Sequence, residues 1–298
     1  MNVAAWSKAP RPALAARVEL GAEARVRAGA IGLDLPPGAP SMLVESGRDA
    51  AAVFAVDPAR TGDEDARLVL GPAPSADLAA ETAGLAAATG VRVLTTQSKA
   101  RDDGATARAL GAAGFRAIDT ATVYEVAIPA AAASVARSAP GLVSRLGEAS
   151  GLKLVSLSAI DPGLVAETLD AECLMDAFEV EARRRPGHPR ALARDESVAA
   201  LTGDTLTGFL ALEHVPAGEA TGASGYAIVA RWVAPGARTG LVNLALIVEA
   251  LARAEAAGVE RVRFAANPAR HADTFALARR LGATALFTQS RFRRSLTS

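Results

Sequence analysis

The chain repeats itself without a gap. In the first half, Asp77–Gly90 reads as a helix, Val91–Thr96 as a short β-branched strand, Asp103–Gly114 as a second helix with Asp102 or Asp103 as its N-cap, and Thr120–Ile128 as a longer strand. The C-terminal half gives the same series: a helix over Leu244–Ala257, a strand over Glu260–Ala265, a helix over Asp273–Leu281 and a last strand over Ala285–Phe292. Gly90 and Gly258 close the first helix of each copy and lie 168 residues apart, and Gly114 and Gly282, which close the second, lie 168 apart as well. Glu81 and Glu249, Val91 and Val259, and Thr106 and Thr274 pair at that same offset. Alanine pairs mean little in so alanine-rich a sequence. Two helix-closing glycines at one spacing mean more, because a C-terminal glycine answers a specific backbone demand. Such a chain is built of two like domains, and 298 residues suffice for two cores.

Strands precede each repeated unit. In the second half, Ser197–Asp204 and Thr205–His214 meet at Gly203-Asp204, a hairpin signal, and Gly225–Val233 is a third, mostly apolar and therefore central strand. A helix starts at Asp161-Pro-Gly and runs to about Phe178. In the first half the clearest strands are Ala50–Val56 and Arg67–Leu70. The Ala-rich, Pro-bounded stretch from Pro129 to Pro140, followed by Gly141–Leu152, lacks strand character and reads as a linker with room for one helical piece. The resulting division is a first domain over 1–130, a linker over 131–150 and a second domain over 151–298. The fold class is α/β (α+β), each domain a mixed, mostly antiparallel twisted sheet flanked by helices.

The richest local feature is Val233-Ala-Pro-Gly-Ala-Arg238-Thr-Gly240-Leu-Val-Asn243, which runs straight into the apolar helix Leu244–Ala252. A strand ends, a Gly/Pro loop turns and a helix begins with Arg238 and Gly240 at its mouth. That geometry aims free backbone N–H groups, at the positive end of a helix dipole, towards an anion such as a phosphate. Glycine lets such a loop reach positive φ or approach the phosphate closely, and Leu241 and Asn243 stand where further glycine is expected. The corresponding stretch of the first half, Leu70-Gly-Pro-Ala-Pro-Ser-Ala-Asp77, has no arginine and no such loop.

Charge and composition narrow the partners. Thirty-two basic and 32 acidic residues cancel, so neither a nucleic-acid-binding surface nor an acidic disordered chain is indicated. Lys8, Pro10, Arg11 and Pro12 interrupt any secretory apolar run at the start, and no window approaches the roughly 18 apolar residues of a membrane span. The expectation is a cytoplasmic protein, monomer or homodimer, that engages neither membrane nor nucleic acid. The sole cysteine, Cys173, excludes an internal disulfide and a multi-cysteine metal site; it reads as a small buried hydrophobe. His188, His214 and His271 have no metal-ligand spacing, and no metal is expected.

The order of the second half, a helix, three antiparallel strands, a phosphate-type loop, then helix, strand, helix and strand, resembles the GNAT acyltransferase family. Val233, Pro235 and Arg238 match the spacing of that family's cofactor motif V-x-P-x-x-R-G-x-G-x-G/A, and the apolar helix follows on time. Of the late pattern ending L-G-F, Asn267, Leu281 and Gly282 match outright. In the first half, Ala113-Gly114-Phe115 and Tyr124-Glu125 resemble the closing elements of the same fold. The chain therefore looks like a tandem GNAT with one degenerate and one better copy. The resemblance implies an acyl-CoA (acetyl-CoA) co-substrate held by Trp232, Val233, Arg238, Thr239, Gly240, Leu241, Val242, Asn243 and Asn267, and an amine acceptor, small molecule or peptide. Catalytic residues stay unassigned. Ala278, and Leu110 in the first half, stand where many relatives place an acidic tyrosine. Tyr226 is a candidate to order a water, against the reading of a core tyrosine with a bonded hydroxyl. Glu213 and His214 read as rim residues, and the basic run Arg183–Arg190 as a solvated loop. Two alternatives remain open: a non-catalytic GNAT-like binding protein, motivated by the absent tyrosine and thinned glycines, and an aminoacyl transferase, disfavoured by neutral charge.

Overall fold

The computed structural model describes residues 18–20, 41–46, 49–55, 65–72, 74–138, 151–171, 191–215, 225–237, 239–267 and 272–296. Cys173, the basic run 183–190, Arg238 and His271 lie outside the described residues. The chain forms two compact units, the first comprising Met1–Ala121 and Phe287–Ser298, the second Thr122–Leu286.

In the first unit β1 (Val18–Leu20), β2 (Ser41–Ser46), β3 (Asp49–Ala55) and β4 (Asp65–Leu70) form an antiparallel meander. Helix α1 (Ala76–Ala88) then crosses to β5 (Val93–Thr96), which pairs parallel with β4. Strand β6 (Ala100–Arg101) and helix α2 (Ala105–Ala112) follow. The sheet continues with a strand from the other end of the sequence: in β13 (Thr284–Ser295), Arg293–Ser295 run antiparallel to β5, and Gln289 and Ser290 pair with β6. Met42, Val53, Leu68, Leu78, Leu94, Leu110, Phe115 and Phe292 form its core. The N-cap of α2 is Gly104, without a side-chain bond, in place of the expected aspartate. The Asp103 carboxylate is instead held by the Arg101 guanidinium at 2.9 and 3.1 Å.

The second unit repeats this plan. Strands β8 (Leu152–Ser156), β9 (Val198–Thr202), β10 (Thr205–Val215) and β11 (Gly225–Val233) are antiparallel neighbours, with α4 (Pro162–Ala171) inserted after β8. The Asp161 carboxylate accepts the Leu164 N–H at 2.9 Å and so opens α4. Helix α5 (Thr239–Ala256) crosses to β12 (Arg261–Ala266), parallel to β11, and α6 (Ala272–Arg280) follows. The next strand is again borrowed: Thr122–Ala127 of β7 (Arg116–Ala127) run antiparallel to β12. Alternation along β10 gives the sheet two apolar faces. Leu210 and Leu212 pack with Tyr226, Leu246, Leu251 and Val262 under α5, whereas Phe209 and Ala211 pack with Leu157, Leu169 and Ala230 on the side of α4.

The repeat read from the sequence is a repeat of backbone geometry. Gly90, Gly114, Gly258 and Gly282 have φ of +94°, +81°, +71° and +68°. Behind each, the next residue's N–H reaches back five positions: Val91 to Ala86 (3.2 Å), Phe115 to Leu110 (3.0 Å), Val259 to Ala254 (2.9 Å) and Ala283 to Ala278 (2.9 Å). All four helices thus end in the same left-handed cap, which an L side chain would strain. The Ala-rich stretch after Ala127, given room for one helical piece, holds one: α3 spans Ile128–Ser138, with Ile128 and Ala131 fully buried in the second unit's core.

Candidate functional site

In the second unit β11 and β12 are paired at Tyr226↔Val262, Ala227↔Arg263 and Ile228↔Phe264, and no further, although β11 continues to Val233 and β12 to Ala266. A cause is visible on β11's other side. Leu212 of β10 faces Ile228 while Ala211 faces Ala230, so Val229 is an extra residue, a β-bulge. Bulges bend a strand and raise its twist, and this one sits one residue past the last β11–β12 pair. Where the strands part, a cavity of about 270 Å³ opens, lined by Val229, Ala230 and Arg231 of β11, Phe264 and Ala265 of β12, Thr274 of α6 and a set of apolar side chains that includes Ile247, Ala250 and Leu251 of α5. Among the described residues of that lining Arg231 alone is charged, and its Nη2 donates to Thr274 Oγ1 at 3.0 Å.

The helix expected from Leu244 begins five residues earlier, at Thr239. The left-handed glycine of the loop is Gly236 (φ 83°), and Gly240 is an ordinary first-turn helical residue whose missing Cβ would meet open space. Leu241 and Asn243 therefore need no positive φ. The first amides of α5 have no intrahelical acceptor, and no acidic residue stands in its first turn to compete for an anion. Val242 turns its side chain into the core, and Leu241 is exposed. Trp232 and Val233 close β11, and Asn267 follows β12, whose C-terminal end lies alongside that of β11 because the strands are parallel. The structure thus brings Trp232, Val233, Thr239, Gly240, Leu241, Val242, Asn243 and Asn267 to one end of the second unit; Arg238 lies outside the described residues. Trp232 packs its ring against Phe209 at 5.7 Å, and its buried indole N–H has no hydrogen-bond partner among the described residues. A buried donor without an acceptor is costly, and a ligand carbonyl or phosphate oxygen would satisfy it.

Other titratable groups belong to the scaffold. Tyr226 is 1 % exposed. Burial, then the charge and the hydrogen bond of the Glu196 carboxylate, push its hydroxyl up to about 12, so it stays protonated near neutrality. The His214 ring lies 4.7 Å from it, at the opposite end of the β10–β11 ladder from Val233. Ala278, at the tyrosine position, is buried in α6. Glu125 of β7 is 6 % exposed and accepts from Arg263 Nε (3.0 Å) and Arg261 Nη1 (2.5 Å). Burial pushes this carboxyl up, but the two arginine hydrogen bonds outweigh it and hold it below the usual carboxylate range. Sequence reasoning missed the bulge at Val229, which has no residue signature, and Arg231, whose signal was present as a charge inside an otherwise apolar strand.

The first unit has a cavity of about 340 Å³ at the same topological place, where β4 and β5 end their pairing at Leu68↔Thr96. Its lining includes Lys99 and Arg101. Its helix α1 differs from α5 at the mouth. The Ser75 Oγ already accepts the Leu78 N–H at 3.1 Å, and Asp77 places a carboxylate in the first turn. One terminal amide is thus capped by the chain itself and the first turn is acidic, which disfavours a phosphate there.

Antiparallel strands, a helix crossing to a parallel strand, and a parting of those two strands at a bulge beside that helix's N-terminus together define the GNAT fold. Within that fold the structure matches a tandem GNAT protein from the clavulanic acid biosynthesis pathway, at 19 % identity and a TM-score of 0.60, over 100 % of this chain and 93 % of that one. It also matches a GCN5-related glucosamine N-acetyltransferase region of a fungal multi-domain GH3 β-N-acetylglucosaminidase, at 11 % identity and a TM-score of 0.54, over 91 % of this chain but only 34 % of that longer one. No protein-family model and no curated protein matches the chain in sequence. Among the described residues, no helix is long and apolar enough to cross a membrane, and no cluster of His, Cys, Asp and Glu has the geometry of a metal site.

Proposed function

We propose that the second unit is an acyl-CoA-dependent N-acyltransferase, which moves an acyl group from a CoA thioester, acetyl-CoA or another, to the amine of a small molecule or peptide. The observation that carries this reading is the apolar cleft at the parting of β11 and β12, next to a helix terminus free of acidic residues. The pyrophosphate would rest on the Thr239, Gly240 and Leu241 amides, and the pantetheine arm would take the open edge of the parted strands, supplying the pairing that β11 and β12 no longer give each other.

The amine must arrive neutral. Its nitrogen attacks the thioester carbon, the C–N bond forms, and the oxyanion is met by the backbone N–H of the bulged segment. The C–S bond then breaks, and the sulfur leaves as thiolate towards Arg231, whose positive charge lowers the cost of that departure. The ammonium proton passes to water, and the thiolate takes one up from water. The first unit, whose α1 terminus is self-capped, serves as scaffold.

Calorimetric titration with acetyl-CoA, followed by turnover on an amine panel, tests the proposal. Binding with transfer to at least one amine is expected. No binding at millimolar acetyl-CoA would overturn it, and binding without transfer to any amine would leave a ligand-binding protein instead.

A further inference from the structure

The cleft does not end where an acetyl group would. It continues from the parting at Val229 back beneath the closed part of the sheet, to Val262, which pairs with Tyr226 two residues before the last β11–β12 pair. From the last pair, that is roughly 7 Å along the strand at the usual rise per residue. The walls of this inner part are Leu212, Val262, Ile247, Ala250 and Leu251, on the face of the sheet that α5 covers. Among the described residues no charged or polar side chain lines it, and such walls offer water nothing to bind. A thioester held at the bulge would direct its acyl chain into this space, and an acetyl group would contribute one methyl.

On that basis, and resting on the acyl-CoA reading above, we infer that the preferred donor carries a medium-length acyl chain that fills the cavity under α5. An apolar cavity of about 150 Å³ takes the six carbons of a benzene ring, so the part of the 270 Å³ that lies beyond the thioester has room for a chain of roughly six to eight carbons. The chemistry is unchanged: the acyl C–S bond breaks, the C–N bond forms, and CoA leaves as the thiol.

The test is calorimetry on the full chain with CoA, acetyl-CoA, butyryl-CoA, hexanoyl-CoA and octanoyl-CoA. Each methylene fully buried is worth up to about fourfold in affinity. Octanoyl-CoA is therefore expected to bind at least tenfold more tightly than acetyl-CoA. In Ala250→Leu, and separately in Ile247→Phe, a larger side chain occupies the cavity from α5, and the octanoyl-to-acetyl ratio should fall towards one. Octanoyl-CoA binding no tighter than acetyl-CoA in the unmodified protein would overturn the inference and leave the acyl-CoA reading standing. A ratio that survives both substitutions would also overturn it, by placing the chain elsewhere. Failure of every thioester and of CoA itself would overturn the acyl-CoA reading with it. If either variant does not fold, the chain-length series on the unmodified protein still decides.

Discussion

Gly240 looks conformational in the sequence and is positional in the structure. Its φ is helical and the space where a Cβ would stand is open. Gly240→Asp should therefore fold, and should fold slightly better: aspartate is about 0.3 kcal/mol better than glycine in a helix, and a carboxylate in the first turn adds a few tenths. The same carboxylate would sit where a phosphate is proposed. We expect a higher melting temperature without ligand together with at least a 30-fold loss of acetyl-CoA affinity, read by scanning calorimetry and titration. A variant that is more stable and still binds would remove the helix terminus from the site. Glu125 gives a second residue-scale prediction. Its folded-state pKa is depressed, so its stabilisation is present above the ordinary carboxylate range and is lost as pH falls through the folded value. Glu125→Gln should cost about 3 kcal/mol near pH 7, because it removes the carboxylate paired with the buried Arg263. The gap between variant and unmodified protein should shrink as the pH is lowered from about 7 to about 2, measured by urea unfolding at each pH.

Among the elements, those with strong punctuation were readable. The β9–β10 hairpin forms at Gly203 (φ 59°), β11 has the bounds expected of it, and the capped helices end where their glycines stand. A helical piece is legible between Pro129 and Pro140, but the buried face of α3 is not, because its residues are mostly alanine. Alanine favours helix but marks no buried face, and periodicity is a contrast between large apolar and polar residues. Burial decides the element: Ala131→Glu should destabilise the second unit by about 3 kcal/mol or more by forcing a charge into its core, whereas Ala133→Glu, exposed one turn-face away, should be nearly neutral; chemical denaturation separates the two. The start of α5 was misplaced for the opposite reason. Leu241 and Val242 suit a helix, but a phosphate-loop motif suggested extra glycine-dependent turn where the helix had already begun. The cleft itself was not legible, since a parting of two strands comes from pairing register, which one chain's pattern does not specify.

For the whole molecule, the division into units does not follow the chain. The first unit needs Phe287–Ser298 and the second needs Thr122 onward, so neither continuous half holds its full set of strands. Residues 1–150 lack the strand that pairs with β5, and residues 151–298 lack the strand that pairs with β12, including Glu125, the partner of Arg263. Expressed alone, each fragment should expose a bare sheet edge and aggregate. Expressed together, they should yield a soluble complex by size-exclusion chromatography. Stable, monomeric fragments with cooperative unfolding would count against the exchange of strands.

That exchange also orders events at the ribosome. Everything the first unit needs from the first half of the gene has been translated by Ala121, yet its closing strand follows more than 160 residues later. Through that interval the nascent first unit waits with an unpaired β5 edge, while the second unit, whose last residue is Leu286, is nearly complete before the first can close. The copy proposed to do chemistry would thus mature ahead of the copy proposed to scaffold it, and a stalled chain ending before Phe287 should be protected from protease in its second unit and cut in its first.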